Sequence, residues 1–228
     1  MLALVVPSCG LIDSDVTNFD LTLPDKQFSV DASGWNVNQT AADMFLNMSC
    51  STAPMICSSA ATQACPMNCT GACGTTSQKC ELQLNVSAYK GIDLVMEKPE
   101  LNQINDKPVI KVTIDSVKYA VGANTLNVAT PEMGVYVAPI TVMDPKDPMA
   151  KQVGIIEPVP AGATIATRDM TYTSDGKQIL IDTMSTYKNP FNVIVGTSKD
   201  NPIVIKAGQM VPMGKLDADI KITAHAGL

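Results

Sequence analysis

Arginine is all but missing from this 228-residue chain: Arg168 is the only one, and His225 is the only histidine. Without arginine there is no planar fork for gripping phosphate or carboxylate. With a net charge of -6 there is no dense basic face for nucleic acid, which is therefore not expected as a partner. A Ser-His or Cys-His nucleophile pair would have to use His225, which lies on the polar side of a strand pattern and reads as an exposed strand histidine. Aromatic residues make up 4% of the chain, and Trp35 is the sole tryptophan. Stacking platforms for sugars are thus scarce, and Trp35 is expected in the core. No apolar run is long enough to cross a bilayer as a helix. The Gly-x-Ser-x-Gly, His-Glu-x-x-His and phosphate-loop motifs are all missing. No catalytic residue, metal ligand or cofactor is assigned from the sequence.

What is present is apolar substance and cysteine. At 46% hydrophobic and 17% charged, the chain can bury a sizeable core and is not of disordered composition. Of its seven cysteines, six fall within one stretch: Cys50, Cys57, Cys65, Cys69, Cys73 and Cys80. An even set over a segment whose only large apolar residues are Met55, Ile56 and Met67 reads as three disulfides standing in for a core. That points to an oxidising compartment. Six cysteines allow fifteen pairings. The spacing of Cys65, Cys69 and Cys73 would put all three on one side of a helix with Pro66 in its first turn, each bonding outward to Cys50, Cys57 or Cys80. The rival is a soft-metal site: with Met44, Met48, Met55 and Met67 nearby, thiolate and thioether ligands would suit copper(I). Cys-x-x-Cys pairs of the zinc-ribbon kind are missing.

The seventh cysteine, Cys9, follows Met1-Leu-Ala-Leu-Val-Val-Pro-Ser and precedes Gly10. Val6-Pro7-Ser8-Cys9 resembles the lipobox of bacterial lipoproteins, and the body resembles uncharacterised cell-envelope lipoproteins. The resemblance implies that Cys9 is lipidated and becomes the mature N-terminus. It implies an outer-membrane address, since Asp at the next position would favour the inner membrane. The match spans about ten residues and departs from a full leader, for none of the eight preceding residues is Lys or Arg. The expectation is that the natural start lies upstream of Met1.

Along the chain, residues 1–8 read as a partial signal peptide and 9–17 as a lipidated cysteine with its tether. Residues 18–228 read as a β-sandwich domain with a Cys-rich insertion at 48–81. Alternation of Phe19, Leu21 and Leu23, then Phe28 and Val30, marks half-buried strands around a turn at Pro24-Asp25. Residues 40–48 suit a short helix. Strand signals return at Leu82, Leu84 and Val86. Ile110, Val112 and Ile114 hold one phase, and Val117, Tyr119 and Val121 the other, which requires a bulge near Asp115. Gly122-Ala123-Asn124 is read as a turn before a strand at Leu126 and Val128, and Pro131 breaks the chain before Val135 and Val137. Residues 144–149 form a rigid loop, and a strand pair follows between Val153 and Tyr172. Over 174–187 the pattern fits a helix started by Asp175 and Gln178 slightly better than a hairpin. Leu216 to Ala226 alternates without a slip, and strands at Phe191–Val195 and Ile203–Lys206 are placed beside it. The sum is a mainly β protein: an antiparallel sandwich, built as a meander, with one or two short helices.

Asp13 with Asp15, and Asp144 with Asp147, read as solvated turn carboxylates rather than calcium ligands. Asn38, Asn47, Asn68 and Asn85 head Asn-x-Ser/Thr sequons, which would mark a glycosylated face in a eukaryotic secreted protein. The function expected is that of a non-catalytic, membrane-anchored envelope lipoprotein. It would act as a structural or binding module toward a protein or polysaccharide ligand. Two alternatives stand beside it: a carboxylate-based hydrolase of the envelope, and a copper-binding protein using the Cys/Met segment.

Overall fold

The structure is a computed structural model that describes residues 19–67, 69–104, 110–198 and 200–227. Cys9, its tether, Asp13, Asp15 and Asn68 lie outside the described residues. In chain order the elements are β1 (Phe19–Asp20), β2 (Lys26–Asp31), α1 (Gln39–Leu46), α2 (Ile56–Ala64), β3 (Cys69–Cys73), β4 (Cys80–Leu84), β5 (Ser87–Ile92) and α3 (Leu94–Glu97). They continue with β6 (Lys111–Asn124), β7 (Met133–Pro139), β8 (Lys151–Ile156), β9 (Ile165–Asp169), β10 (Thr171–Tyr172), α4 (Gly176–Ser185), β11 (Phe191–Gly196), β12 (Ile203–Ile205) and β13 (Lys215–Gly227).

The molecule is mainly β, an antiparallel sandwich with short helices. One five-stranded sheet runs β1-β13-β6-β9, with β2 also paired to β13; a second runs β10-β8-β7-β11-β5; a third, β12-β4-β3, is smaller. The inner faces of all three merge into one continuous apolar core. The expected meander is only partial. β3–β4 and β7–β8 are sequential hairpins, but β8 and β9 belong to different sheets, and β13 returns to lie between β6 and β1. A sandwich requires such crossings, because a strand with one apolar face must find the opposing sheet.

The phase slip in β6 is a bulge. β13 keeps one phase, while opposite it Ser116 faces Thr223 and Ile114 faces Ala224, leaving Asp115 unpaired. That extra residue lets Val112 and Ile114 on one side, and Val117, Tyr119 and Val121 on the other, all point into the core. A second shift leaves Gly122 unpaired, since Asp217 faces Ala123 and Ala218 faces Val121. This corrects the turn expected at 122–124: a bulge absorbs the glycine and the strand continues to Asn124. Leu126 and Val128 then lie in a loop, not a strand, tied down through Asn127, whose Nδ2 donates to the Val211 carbonyl at 3.0 Å. Gly214 closes the other side of that loop. Its φ is +88°, and a Cβ there would come within 2.1 Å of the Thr125 carbonyl.

β11 and β12 are not neighbours of β13. β11 pairs with β7 and β5, and β12 pairs with β4. β7 and β11 are buried on both faces, with only Pro139 exposed. Tyr136, Ala138 and Ile194 turn away from the main core and meet Val142 in a second small cluster. The covering loop is held by buried Asn192, whose Nδ2 donates to the carbonyls of Ile140 (2.9 Å) and Val142 (2.8 Å). A strand buried on both sides reads as a continuous apolar run, so alternation does not reveal its neighbours.

α4 is the expected helix over 174–187, but its start differs. The Asp175 side chain makes no cap hydrogen bond, and Gln178 Nε2 donates forward to Asp182 Oδ1 at 2.7 Å rather than back to the helix start. The helix is fixed by burial of Leu180, Met184 and Tyr187 against the sheets. Trp35 is core, 3% exposed, and its Nε1 donates to the Asn85 carbonyl at 2.7 Å.

Candidate functional site

The cysteine segment is the densest concentration of special chemistry in the described residues. Three bridges close within it: Cys50–Cys73, Cys57–Cys80 and Cys65–Cys69. The Cys65–Cys69 bridge overturns the expectation that Cys65, Cys69 and Cys73 share a helix face and bond outward. The helix lies one step earlier. Alanine-rich α2 ends at Ala64, Cys65 takes an extended conformation (φ -151°, ψ 105°), and Pro66 follows the stop instead of opening a helix. Cys69 to Cys73 then form β3, a strand that includes two of the three cysteines expected on helical turns.

Local packing builds the site from small residues. α2 buries Cys57, Ala61 and Ala64. It lies so close to β3 that a Cβ on Gly71 would sit 2.1 Å from the Cys57 carbonyl and 2.8 Å from the Phe45 ring. Cys50 N donates to the Gln78 carbonyl and Cys80 N to the Met48 carbonyl, both at 3.0 Å, so residues 48–50 run beside the hairpin end. The segment is also part of the body. β4 is the central strand of the third sheet and pairs with β12, far along the chain. Cys50, Cys57, Cys65 and Cys80 are all at most 1% exposed and belong to the main core, whereas Cys73 and Cys69 are only half-buried.

The methionines proposed as soft ligands divide by position. Met48 packs partly against the core, while Met44, Met55 and Met67 project outward at 65%, 79% and 60% exposure. Every sulfur of the six cysteines is in a bridge, and a bridged sulfur presents no thiolate to a metal. Met55 and Met67, with Ile56, instead form apolar knobs on the stapled segment, and Met44 projects from α1.

Nδ1 of His225 is 3.1 Å from Oδ2 of Asp115, both half-exposed on the outer face of the first sheet. Asp144 and Asp147 accept from the backbone N–H groups of Lys146 (2.9 Å) and Met149 (2.8 Å), closing Asx turns. Asn38 caps α1 by accepting from Ala41 N at 2.9 Å, and exposed Asn47 accepts from Lys79 Nζ at 3.2 Å. A polar cavity of about 360 Å³ brings Asp31 and Asp144 to one rim beside Trp35 and Lys146. Two carboxylates in a cleft are what the hydrolase alternative requires. The Asp31 carboxyl is shifted downward. Hydrogen bonds from the Ser33 hydroxyl (2.7 Å) and backbone N–H (2.8 Å) hold it below the ordinary carboxylate range. Asp217 is likewise lowered, by Ser29 Oγ at 2.6 Å and Lys215 Nζ at 2.9 Å.

No helix of the described residues is long and apolar enough to cross a membrane. No protein-family model matches the chain, and no curated protein matches it.

Proposed function

We propose that this chain is a non-catalytic envelope lipoprotein, lipidated on Cys9 and held at the outer membrane, which presents its stapled segment to a protein partner. The observation that carries the reading is the closure of all six cysteines between 50 and 80 into three bridges. Disulfides at this density belong to an exported protein. They also leave Cys9 as the odd cysteine, in the one place that resembles a lipobox. The sandwich supplies a rigid scaffold for the segment. The segment's exposed Met55 and Met67, with Met44 on α1, favour a protein over a polysaccharide, because flexible thioether side chains adapt to apolar protein surfaces and offer no aromatic face for a sugar.

The test is expression behind a complete export leader in a Gram-negative host fed an alkyne-tagged fatty acid. The protein is expected to carry the tag and fractionate with outer membranes. Cys9→Ser should lose the tag, and Gly10→Asp should move the protein to the inner membrane. An untagged wild-type protein that fractionates with soluble contents would overturn the proposal.

A further inference from the structure

Four of the bridged sulfurs form one cluster. Sγ of Cys50, Cys57 and Cys80 all lie within 4.8 Å of one another, although Cys50 is bonded to none of the other two. Its own partner, Cys73, stands directly opposite Cys80 in the β3–β4 register. Residues opposed across an antiparallel pair project to the same side, with Cβ atoms about 4.5–5.5 Å apart. Four cysteines admit three pairings. The observed one is Cys50–Cys73 with Cys57–Cys80. The same cluster also brings together the members of a second pairing, Cys50 with Cys57 and Cys73 with Cys80.

We infer that these four cysteines are a thiol–disulfide exchange centre, entered at Cys73 by a low-molecular-weight thiol and switching between the two pairings. Cys50, Cys57 and Cys80 are fully buried, and Cys73 is the one member with surface exposed. An incoming thiolate attacks Cys73 Sγ, forming a mixed disulfide and expelling Cys50 as a thiolate. Cys50 then attacks Cys57 Sγ, forming Cys50–Cys57 and expelling Cys80. Cys80 attacks Cys73 Sγ, forming Cys73–Cys80 and returning the original thiolate. Three bonds form, three break, and nothing is oxidised or reduced overall.

The exchange changes what the staples connect. In the observed pairing both bridges tie the β3–β4 hairpin to the segment before it, at Cys50 and at the first turn of α2. In the second pairing the hairpin is tied to itself, and residues 50–57 form their own loop. The start of α2, with exposed Met55 and Ile56, would then be released from the sheet, while Cys65–Cys69 still holds its far end. The inference concerns the bridges alone and stands or falls separately from the lipid anchor.

The experiment equilibrates the folded, oxidised protein in a glutathione redox buffer, quenches with acid and alkylates free thiols. It then cleaves at Met55, Met67 and Lys79, which puts Cys50, Cys57, Cys73 and Cys80 on four different fragments, and assigns the bridges among the joined fragments by tandem mass spectrometry. Cys50–Cys57 and Cys73–Cys80 linkages are expected to rise together, in equal amounts, with Cys65–Cys69 unchanged. The Cys73→Ser variant is expected to hold Cys50 in a bridge to Cys57 or Cys80, with the thiol displaced onto the third cysteine. Observed-pairing bridges alone in the wild type, with Cys50 the sole free thiol of the cluster in Cys73→Ser, would overturn the inference. So would mixing that draws in Cys65 or Cys69, since that reports general unfolding.

Discussion

Nδ1 of His225 and Oδ2 of Asp115 stand 3.1 Å apart on the outer face of the first sheet, and the contact exists because Asp115 is the unpaired residue of a bulge. The extra residue in β6 sets the phase of the core on both sides of it. The contact itself is half-exposed and contributes little.

That difference is measurable. Asp115→Ala is expected to change stability by less than about 1 kcal/mol, as for other exposed pairs. Deleting Asp115 is expected to cost more than about 4 kcal/mol or to abolish folding. A one-residue shift must turn either Val112 and Ile114, or Val117, Tyr119 and Val121, to solvent. Urea unfolding followed by the fluorescence of Trp35 reads both variants. A deletion as mild as the alanine would show that the bulge does not set the register.

The three bridges should differ in strength. Cys57–Cys80 closes a loop with a sequence separation of 23 and Cys65–Cys69 one of 4. On chain entropy these correspond to about 3 and about 2 kcal/mol. Cys57 and Cys80 also lie at 0% exposure within the core, so their replacement places hydroxyls there. The double variant Cys57→Ser/Cys80→Ser is therefore expected to unfold at clearly lower urea than Cys65→Ser/Cys69→Ser. Equal midpoints would count against the packing described for α2.

Asp217 makes a pH-dependent contribution of defined sign. Its carboxylate is held below the ordinary range by the Ser29 hydroxyl and the Lys215 ammonium, so the folded state favours the charged form. A group whose folded pKa is depressed adds stability that is fully present above its unfolded value, near 3.9, and is lost as the pH falls through the folded value. Stability measured by urea unfolding should thus decline below about pH 4. Asp217→Asn should weaken that slope while lowering stability at neutral pH. An acid branch identical in the variant would refute the assignment.

Much of the fold was legible because strands with one wet face carry their own evidence. The β13 alternation from Leu216 to Ala226 and the phase slip at Asp115 both follow from the two-residue period of a strand. The helix over α4 was legible from its buried spacing, though not its start. The errors share a cause: they concern partners or local stops that periodicity does not encode. β11 is apolar on both faces and so carried no mark of its neighbours. Gly122 reads as a turn residue but lies at a bulge, where the paired strand opposite carries the chain onward. At the candidate site, the number of bridges could be read from an even count of cysteines in an apolar-poor stretch. Their connectivity could not.

The sequence by itself determined a mainly β, disulfide-stapled protein, since alternation, turn chemistry and cysteine count are local properties of the chain. Only the tertiary structure decided which strands are neighbours, that Cys65 bonds to Cys69, and that Cys50, Cys57 and Cys80 share one cluster. These are distances between residues far apart or differently turned along the chain. They are set by how α2 packs on the β3–β4 hairpin across Gly71, a close approach that no periodicity records.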